Sequence, residues 1–529
     1  MKDDEYSHLS ECGGEASYGR RGFLQRSMAL GLAAAAANSM FGTTAEAAGP
    51  KKGGTLTMGL GGGNATDTLD SAVTSNGVAL VYFGTLGETL VQISPTGEAV
   101  PALAESWESS PDGATWIFKV RKGVEFHNGK TMAPDDVVKT IQRHSDKNSK
   151  SGAYGILQQI ADVKVDGTNV IISMKSPNAD LPYLMSDWHL VIQPGGGTDK
   201  PDSGIFTGAY KLNSFEPGSR IQMERFKNYW DPTVGHFDAV NILVINDSTA
   251  RNSALQSGQV DMVNLVEPRI AGLLKQAPKV IVESSVGRAF NCFNMLCDTT
   301  PFDNYDLRMA LKLAIDREQM LNKVLRGYGA LGNDSPINAS YPLFDDSIPQ
   351  RAYDPDKAKF HYKKSGHDGS IQLSTSDIAF AGAVDAAQLF QQSAARAGIT
   401  IEVKRQPSDG YWDQVWNKEP LSASEFSGRP TQDQMFSTLY TSSASWNDTQ
   451  FRNPRLDTLI SEARGELDKN RRKEMYSEAT LILRDQGGVI TPTFKSFIKA
   501  YRSDRVTGWQ ENPNMDMMNG KAAVLCWEA

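Results

Sequence analysis

"SPDGATWIFKVRKGVEFHNGK", residues 110–130, combines two turn signals with an alternating apolar segment. Pro-Asp-Gly at 111–113 and Asn-Gly at 128–129 are sequences that favour tight turns, and they bracket a predicted strand pair. Trp116 and Phe118 are two residues apart, so both side chains project from the same face of a strand. We therefore predict a β-sheet here, with that face packed on a core.

Helices and further strands are predicted around this segment. Residues 133–147, "APDDVVKTIQRHSDK", have acidic residues first and then Val137 and Ile141 four apart, as an amphipathic helix requires. Short apolar runs at 169–175 and 189–195 read as strands. The first half of the chain is therefore predicted to mix short strands with helices.

The second half of the chain has a β-α-β order. "SIQLSTS" at 370–376 and "ITIEVKRQ" at 399–406 read as strands, and they flank a helical segment at 383–398. That order implies a parallel sheet covered by helices. A final strand at 489–502 follows two helices, and if it rejoins the first half, two chain crossings form a hinge. Ligand sites concentrate at such interfaces.

Bulk composition excludes several classes of protein. The chain has 529 residues, too many for one core, and its net charge of −8 argues against a nucleic-acid partner. The four cysteines and seven histidines form no zinc or disulfide pattern, so we predict no metal site and no cofactor. Cys292 and Cys297 could pair in an oxidising compartment, but buried free thiols are the favoured interpretation.

The N-terminus has the three parts of an export signal. Arg20 and Arg21 open "RRGFL", an apolar run covers 28–41, and Ala-Glu-Ala follows at 45–47. This order predicts a signal peptide over residues 1–47, and its RRxFL form resembles the twin-arginine type. The apolar run is shorter than the roughly 20 residues of a membrane span, and no cysteine lies at the predicted cleavage point. We expect a soluble periplasmic protein without a lipid anchor.

Several segments together resemble one known family. Residues 103–143, 208–230, 254–263 and 301–329 are similar, in order, to extracellular solute-binding proteins of family 5. These are the dipeptide-, oligopeptide- and nickel-type binding components of ABC importers. The resemblance covers essentially all of residues 53–510.

The resemblance implies an α/β, two-lobed, hinged periplasmic-binding-protein fold of type II. An extra subdomain, about residues 90–200, is expected inside the first lobe. The implied boundaries are 48–290 for lobe I, 291–490 for lobe II and 491–529 for the return to lobe I.

The resemblance also indicates where ligand contacts should lie. It points to the loop after the first strand with Asn76, the hinge with Asn294, the "FSGR" loop with Arg429 and the "SSASWND" segment with Trp446. Trp446 fits either a pocket or a core, and Asn294 fits either a pocket or a turn cap. Tyr411 is a further candidate, with core packing the favoured alternative, as it is for the neighbouring Trp412.

Arg429 departs from the family pattern. Peptide-binding members often carry an aspartate here, in a W-x-G-D pattern, that pairs with the amino group of the peptide. This chain reads Phe-Ser-Gly-Arg at 426–429, and a guanidinium would suit a carboxylate through a bidentate fork. The alternative is that Arg429 pairs with a protein acid, Asp433 or Glu425.

These observations predict a periplasmic substrate-binding component of an ABC importer. It would act as a monomer, bind a small polar solute such as a peptide or an amino-acid-derived compound, and deliver it to an inner-membrane permease and ATPase. No G-x-S-x-G, H-E-x-x-H or C-x-x-C motif supports an enzyme. The alternatives are import of a metal chelate or an oligosaccharide, a signalling accessory, and a secreted hydrolase with an unrecognised carboxylate pair.

Overall fold

The computed structural model describes residues 49–529, so the predicted signal peptide with Arg20 and Arg21 lies outside the described residues. Within that range the strands are β1 (Thr55–Leu60), β2 (Val91–Ile93), β3 (Ala99–Pro101), β4 (Ala104–Ser109), β5 (Thr115–Val120), β6 (Ile160–Asp166), β7 (Asn169–Met174), β8 (Tyr210–Glu216), β9 (Arg220–Arg225), β10 (Ala239–Val244), β11 (Met262–Val263), β12 (Val280–Met295), β13 (Gly329–Leu331), β14 (Ile371–Thr375), β15 (Ile401–Arg405), β16 (Leu421–Phe426), β17 (Val489–Arg502), β18 (Val506–Thr507) and β19 (Trp527–Glu528).

Helices lie between these strands along the chain. The α-helices are Gly77–Leu86, Pro134–Ser145, Tyr154–Leu157, Leu181–Leu184, Ser248–Ser257, Pro268–Leu274, Tyr305–Ala314, Arg317–Lys323, Pro355–Ser365, Ala383–Ala395, Tyr411–Gln414, Gln432–Leu439, Pro454–Gly465, Lys469–Gln486, Asp516–Asn519 and Ala522–Leu525. Two short 3₁₀ turns cover Trp188–Leu190 and Pro194–Gly197. No helix in the described range is both long and apolar enough to cross a membrane.

One mixed sheet runs through the molecule in the order β15-β14-β16-β12-β17-β11-β1-β10-β9-β8. Its centre is a long antiparallel ribbon of β12 and β17, whose register extends from the pair of Val280 with Arg502 to the pair of Asn294 with Val489. The ribbon joins β16 on one side and β11 on the other. The predicted parallel β-α-β unit is confirmed, because β14 and β15 pair in parallel across the helix Ala383–Ala395.

A separate four-stranded sheet, β4-β5-β7-β6, contains the segment with the two turn signals. The turn at 111–113 joins β4 to β5, and Trp116 and Phe118 are both buried, as predicted. The predicted strand at 189–195 is wrong, because the chain forms the two 3₁₀ turns there instead. Gly195 and Gly196 have φ values of 62° and 69°, which a strand does not permit.

Apolar residues form separate clusters on the two sides of the ribbon. One cluster combines β1, β10 and the helix Gly77–Leu86 with residues of the C-terminal segment after β17, such as Met517. Another combines the helices Tyr305–Ala314 and Ala383–Ala395. The chain therefore forms two lobes, while the boundaries at 290/291 and 490/491 stay predictions.

The three cysteines of the described range are free. Cys292 lies in β12, where it is buried and its thiol donates to the Ser424 carbonyl. Burial raises the pKa of the Cys292 thiol, so it behaves as a small apolar side chain. Within residues 49–529, no group of three or more His, Cys, Asp or Glu side chains could hold a metal ion.

Candidate ligand-binding cleft

A cavity of about 380 Å³ lies where the β12–β17 ribbon meets the loop after β16. Its wall is built from residues of segments 80–93, 186–191, 288–289, 427–430 and 514–521, together with Phe497. Such a volume is within the range of small-molecule sites, roughly 300–1,000 Å³. The cavity therefore has the size for a small solute, and residues far apart in sequence define its chemistry.

The "FSGR" loop is fixed against the ribbon by close backbone packing. A Cβ atom placed on Gly428 would lie 2.0 Å from the Cβ of Arg288, so no other residue fits there without moving the backbone. Arg288 also donates from Nη1 to the carbonyl of Pro430, at 3.0 Å. The glycine before Arg429 and the proline after it thus hold that arginine at the cavity wall.

Arg429 uses only part of its donor capacity. Its Nη1 donates to the carbonyls of Ser427 (3.1 Å) and Gly428 (3.3 Å), and its Cζ lies 5.9 Å from the ring centroid of Trp446. Nε and Nη2 make no hydrogen bond within the described part of the chain. These two nitrogens form the edge with which a guanidinium binds a carboxylate in a bidentate fork.

The acids that could have paired with Arg429 are occupied elsewhere. Glu425 pairs with Lys495, and Asp433 pairs with Arg464 at 3.0 Å. Among residues 49–529 Arg429 forms no ion pair. Burial lowers its pKa, with the nearby Tyr341 opposing the shift, but a guanidinium stays protonated in proteins. A positive charge without a protein counter-ion therefore lines the cavity.

Arg288 is a second cation of the cavity wall. It donates from Nε and Nη2 to the Ser340 carbonyl and from Nη2 to Asn514 Oδ1, at distances of 2.7–3.2 Å. Its Cζ lies 4.7 Å from the ring centroid of Tyr341. Because most of its donors are used, Arg288 positions three segments of the chain and contributes its charge, rather than a free fork, to the cavity.

Glu88 and Lys521 face the cavity as opposite charges. Glu88 accepts from the Tyr229 hydroxyl (2.8 Å) and the Trp230 indole (3.0 Å), while Lys521 donates to the carbonyls of Gly84 (2.8 Å) and Gly87 (3.2 Å). Burial raises the pKa of Glu88, and Lys521 opposes that shift. Burial lowers the pKa of Lys521, and Glu88 opposes that shift. Each group therefore has its hydrogen-bond partners within the protein, and each lies near enough to the other to influence its pKa.

The side chains of the other residues predicted to contact the ligand interact with the protein itself. Asn76 caps the helix Gly77–Leu86 by accepting from the amides of Val78 and Ala79, and it does not line the cavity. Tyr411 is buried in a core and donates to the Ala423 carbonyl at 2.8 Å, in line with the favoured alternative. Trp446 is 47% exposed and contacts Arg429, so the structure brings these two together.

Asn294 lies in a buried polar cluster beside the cavity loop. Its Nδ2 donates to Asp448 Oδ2 at 2.5 Å, and the Trp416 indole donates to the same oxygen at 2.9 Å. Burial raises the pKa of Asp448 to about 7, and the hydrogen bonds from Trp416 and Asn294 oppose the shift. Asn294 therefore has a carboxyl partner within the protein, and it does not line the cavity.

Sequence reasoning missed Glu88, Asp187, Arg288 and Lys521 as residues of the cavity wall. Arg288 had a detectable signal, since it is a lone cation inside the long apolar strand of β12. Glu88 and Lys521 had none, because they are more than four hundred residues apart in sequence. Their juxtaposition depends on the return of the chain after β17.

Two lobes, a two-stranded ribbon between them and a charged cavity beside the ribbon define a solute-binding protein. The chain belongs to the bacterial extracellular solute-binding proteins, family 5, whose middle-region model matches residues 98–448. It is 28% identical to "Heme-binding protein A" of Haemophilus influenzae over 463 residues, which cover 78% of this chain and 82% of that protein. It is also 28% identical to a "Dipeptide-binding protein" of Pseudomonas aeruginosa, covering 81% and 87%.

Solved structures show the same fold. HbpA2 from Haemophilus parasuis superposes with a TM-score of 0.79 at 19% identity, covering 90% of this chain and all of that one. The periplasmic binding protein DppA from Helicobacter pylori, in complex with the peptide STSA, gives 0.71 at 21% identity and covers 90% and 98%. The predicted two-lobed periplasmic-binding-protein fold is thus confirmed.

Proposed function

We propose that this protein captures a carboxylated polar solute, a peptide or an amino-acid-derived compound, in the periplasm and delivers it to an ABC importer. Membership of family 5 and the likeness to a dipeptide-binding protein support the solute class. Export through the signal peptide of residues 1–47 and action as a monomer belong to the same proposal.

The proposed contact with a ligand carboxylate rests on the geometry of Arg429. Its Nε and Nη2 edge is free, its charge has no acidic partner among the described residues, and it lines the cavity. A carboxylate placed there would form charge-assisted hydrogen bonds in a partly desolvated site, where they are stronger than at the surface. An ammonium at the same position would be repelled.

Binding without turnover is the proposed mode of action. The β12–β17 ribbon is the covalent connection between the two lobes, so a ligand that contacts both lobes favours the closed arrangement by its differential affinity. A ligand that binds stoichiometrically should therefore reduce the radius of gyration measured by solution scattering. Chemical conversion of that ligand by the purified protein would contradict this mode of action.

Substitution of Arg429 tests the site. Thermal-shift screening of peptides, opine-like amino-acid conjugates, oligosaccharides and metal chelates identifies a ligand by the stabilisation it gives. Arg429→Ala should then weaken binding of a carboxylated ligand by roughly 30-fold or more, since loss of one partner of a desolvated charge pair costs about 2–5 kcal/mol. Arg429→Lys should recover only part, because it keeps the charge without the fork.

The matched control is Arg405→Ala, which removes an exposed guanidinium paired with Asp377. It should leave ligand affinity unchanged. If Arg429→Ala keeps affinity within about twofold while it lowers the melting temperature, Arg429 has a structural role and the proposed carboxylate contact is wrong.

A further inference from the structure

Asp187 is a second group of the cavity wall with unused binding capacity. Its Oδ1 accepts from the backbone amide (3.0 Å) and from Nδ1 (2.6 Å) of His189. Its Oδ2 accepts no hydrogen bond from the residues that the structure describes, and the side chain is 19% exposed. One carboxylate oxygen is thus available to a molecule in the cavity.

The segment that carries Asp187 is held firmly. Trp188, the next residue, stacks on His189 at 3.8 Å and on Phe83 at 5.8 Å between ring centroids. His189 is buried, and its Nδ1 lies 2.6 Å from Asp187 Oδ1, so the imidazole and the His189 amide hold one carboxylate oxygen while the other stays without a partner among the described residues. The position of the carboxylate is therefore fixed before any ligand binds.

Asp187 and Arg429 are the two cavity-wall charges whose binding groups are not committed to the protein. The only other carboxylate among the residues of that wall, Glu88, is held by Tyr229 and Trp230 and faces Lys521. Arg288 has most of its donors on main-chain carbonyls and Asn514. A ligand that satisfies both free groups must carry a cationic nitrogen and a carboxylate.

We propose that Asp187 binds the cationic nitrogen of a zwitterionic solute while Arg429 binds its carboxylate. This assignment rests on the proposed function, in which Arg429 faces the ligand. It makes Asp187 a specificity-determining residue that selects amino-acid-like compounds over simple carboxylic acids. The cavity of about 380 Å³ accommodates compounds of that size.

The test uses a panel of dipeptides and N-carboxyalkyl amino acids, each with its N-acetylated and its carboxamide counterpart. For wild-type protein, the strongest binder should be a zwitterion, and its N-acetylated counterpart should bind at least about tenfold more weakly by calorimetry. Asp187→Asn should weaken the zwitterion by a similar factor and leave the affinity for the N-acetylated compound unchanged. Asp166→Asn, an exposed change of the same charge on β6, is the control.

Three results would overturn the assignment. One is equal binding of a zwitterion and its N-acetylated counterpart to the wild type, a comparison that needs no variant to fold. Another is an Asp187→Asn variant with unchanged affinity for the zwitterion. The third is a panel in which no zwitterion raises the melting temperature at about 1 mM. If carboxamides bind as well as carboxylates, the Arg429 contact fails instead, so the two proposals are distinguished.

Discussion

Two charged regions of the molecule, around Asp334 and around Arg429, differ in how their charges are balanced. Asp334 is fully buried, with Arg317 Nη2 at 2.5 Å and Arg351 Nε at 2.8 Å from its two carboxylate oxygens. Burial opposes ionisation of Asp334, but the surrounding cations hold its pKa below the usual value. Arg429 has no such partner among the residues described. The difference indicates that paired buried charges support the fold, while an unpaired one at a cavity wall is available to a ligand.

The largest effect on stability is expected for substitution of Asp334. Asp334→Asn leaves Arg317 buried without a counter-ion and Arg351 with only the partly exposed Asp485 at 2.6 Å, so the free energy of unfolding should fall by about 3–5 kcal/mol in urea titrations. Arg429→Ala in the same titrations, without ligand, should change it by less than about 0.5 kcal/mol. Asp377→Asn, which removes an exposed pair with Arg405, should cost about 0–1 kcal/mol. Equal losses for Asp334→Asn and Arg429→Ala would remove the distinction between the two regions.

A buried charge pair between two distant segments of the chain gives an intermediate case. Asp180, from the segment predicted as the inserted subdomain, pairs with Arg472 of the helix Lys469–Gln486, and both side chains are buried. If this contact forms when the lobes close, Asp180→Asn should destabilise it by about 2 kcal/mol and weaken ligand binding roughly 30-fold. Solution scattering without ligand should also show a larger radius of gyration.

The control for that change lies at the same interface. Lys469 pairs with Glu98 at 2.9 Å, but both side chains are largely exposed. Lys469→Ala should therefore alter affinity by no more than a few-fold, since exposed pairs are worth about 0–1 kcal/mol. If the two variants weaken binding equally, burial does not explain the strength of the contact.

The smallest effect is expected at Asp448, a buried acid that has hydrogen-bond donors but forms no ion pair within residues 49–529. Its pKa in the folded protein is about 7, above the ordinary value of 3.8, because of burial. The folded state then binds more protons than the unfolded state between these values, so stability falls as pH rises from about 4 to 7. Asp448→Asn should raise the free energy of unfolding at both pH values. The gain at about pH 8 should exceed the gain at about pH 5 by about 1 kcal/mol or more.

The Asp448→Asn variant separates the effect of ionisation from the effect of lost hydrogen bonds. Trp416 and Asn294 both donate to Asp448 Oδ2, and the side-chain amide that Asp448→Asn introduces retains an oxygen that can accept them. An equal stability change at both pH values would show that Asp448 is ionised in the fold throughout this range. The ionised Asp448 carboxylate would then require a nearby cation to balance its negative charge.

Local sequence signals predicted most of the elements but few of the cavity contacts. The turn at 111–113, the β14–β15 unit and the long strands β12 and β17 follow from turn residues and apolar periodicity. The run at 189–195 was ambiguous because a short apolar segment does not distinguish a strand from other buried structure. There the backbone followed Pro194 and the glycines after it, which favour turns.

The cavity was harder to predict because its charges come from distant segments. Arg429 was named because its loop departs from a family pattern, and Trp446 because the resemblance points to its segment, although only Arg429 lines the cavity. Asn76 was named for its position, yet its side chain serves the helix that begins at Gly77. Asp187 and Lys521 give no local signal, since their role depends on which other residues the fold places across from them.

The β12–β17 ribbon also bears on how such proteins can be recombined. The Met295 amide donates to the Gly488 carbonyl at 3.0 Å, so the chain leaves the ribbon and returns to it at adjacent points. Residues 295–488 thus form a cassette whose two ends are one hydrogen bond apart. A cassette from another family member could be exchanged at these two positions without rethreading the rest of the chain, which would replace the Arg429 side of the cavity and keep the Asp187 side.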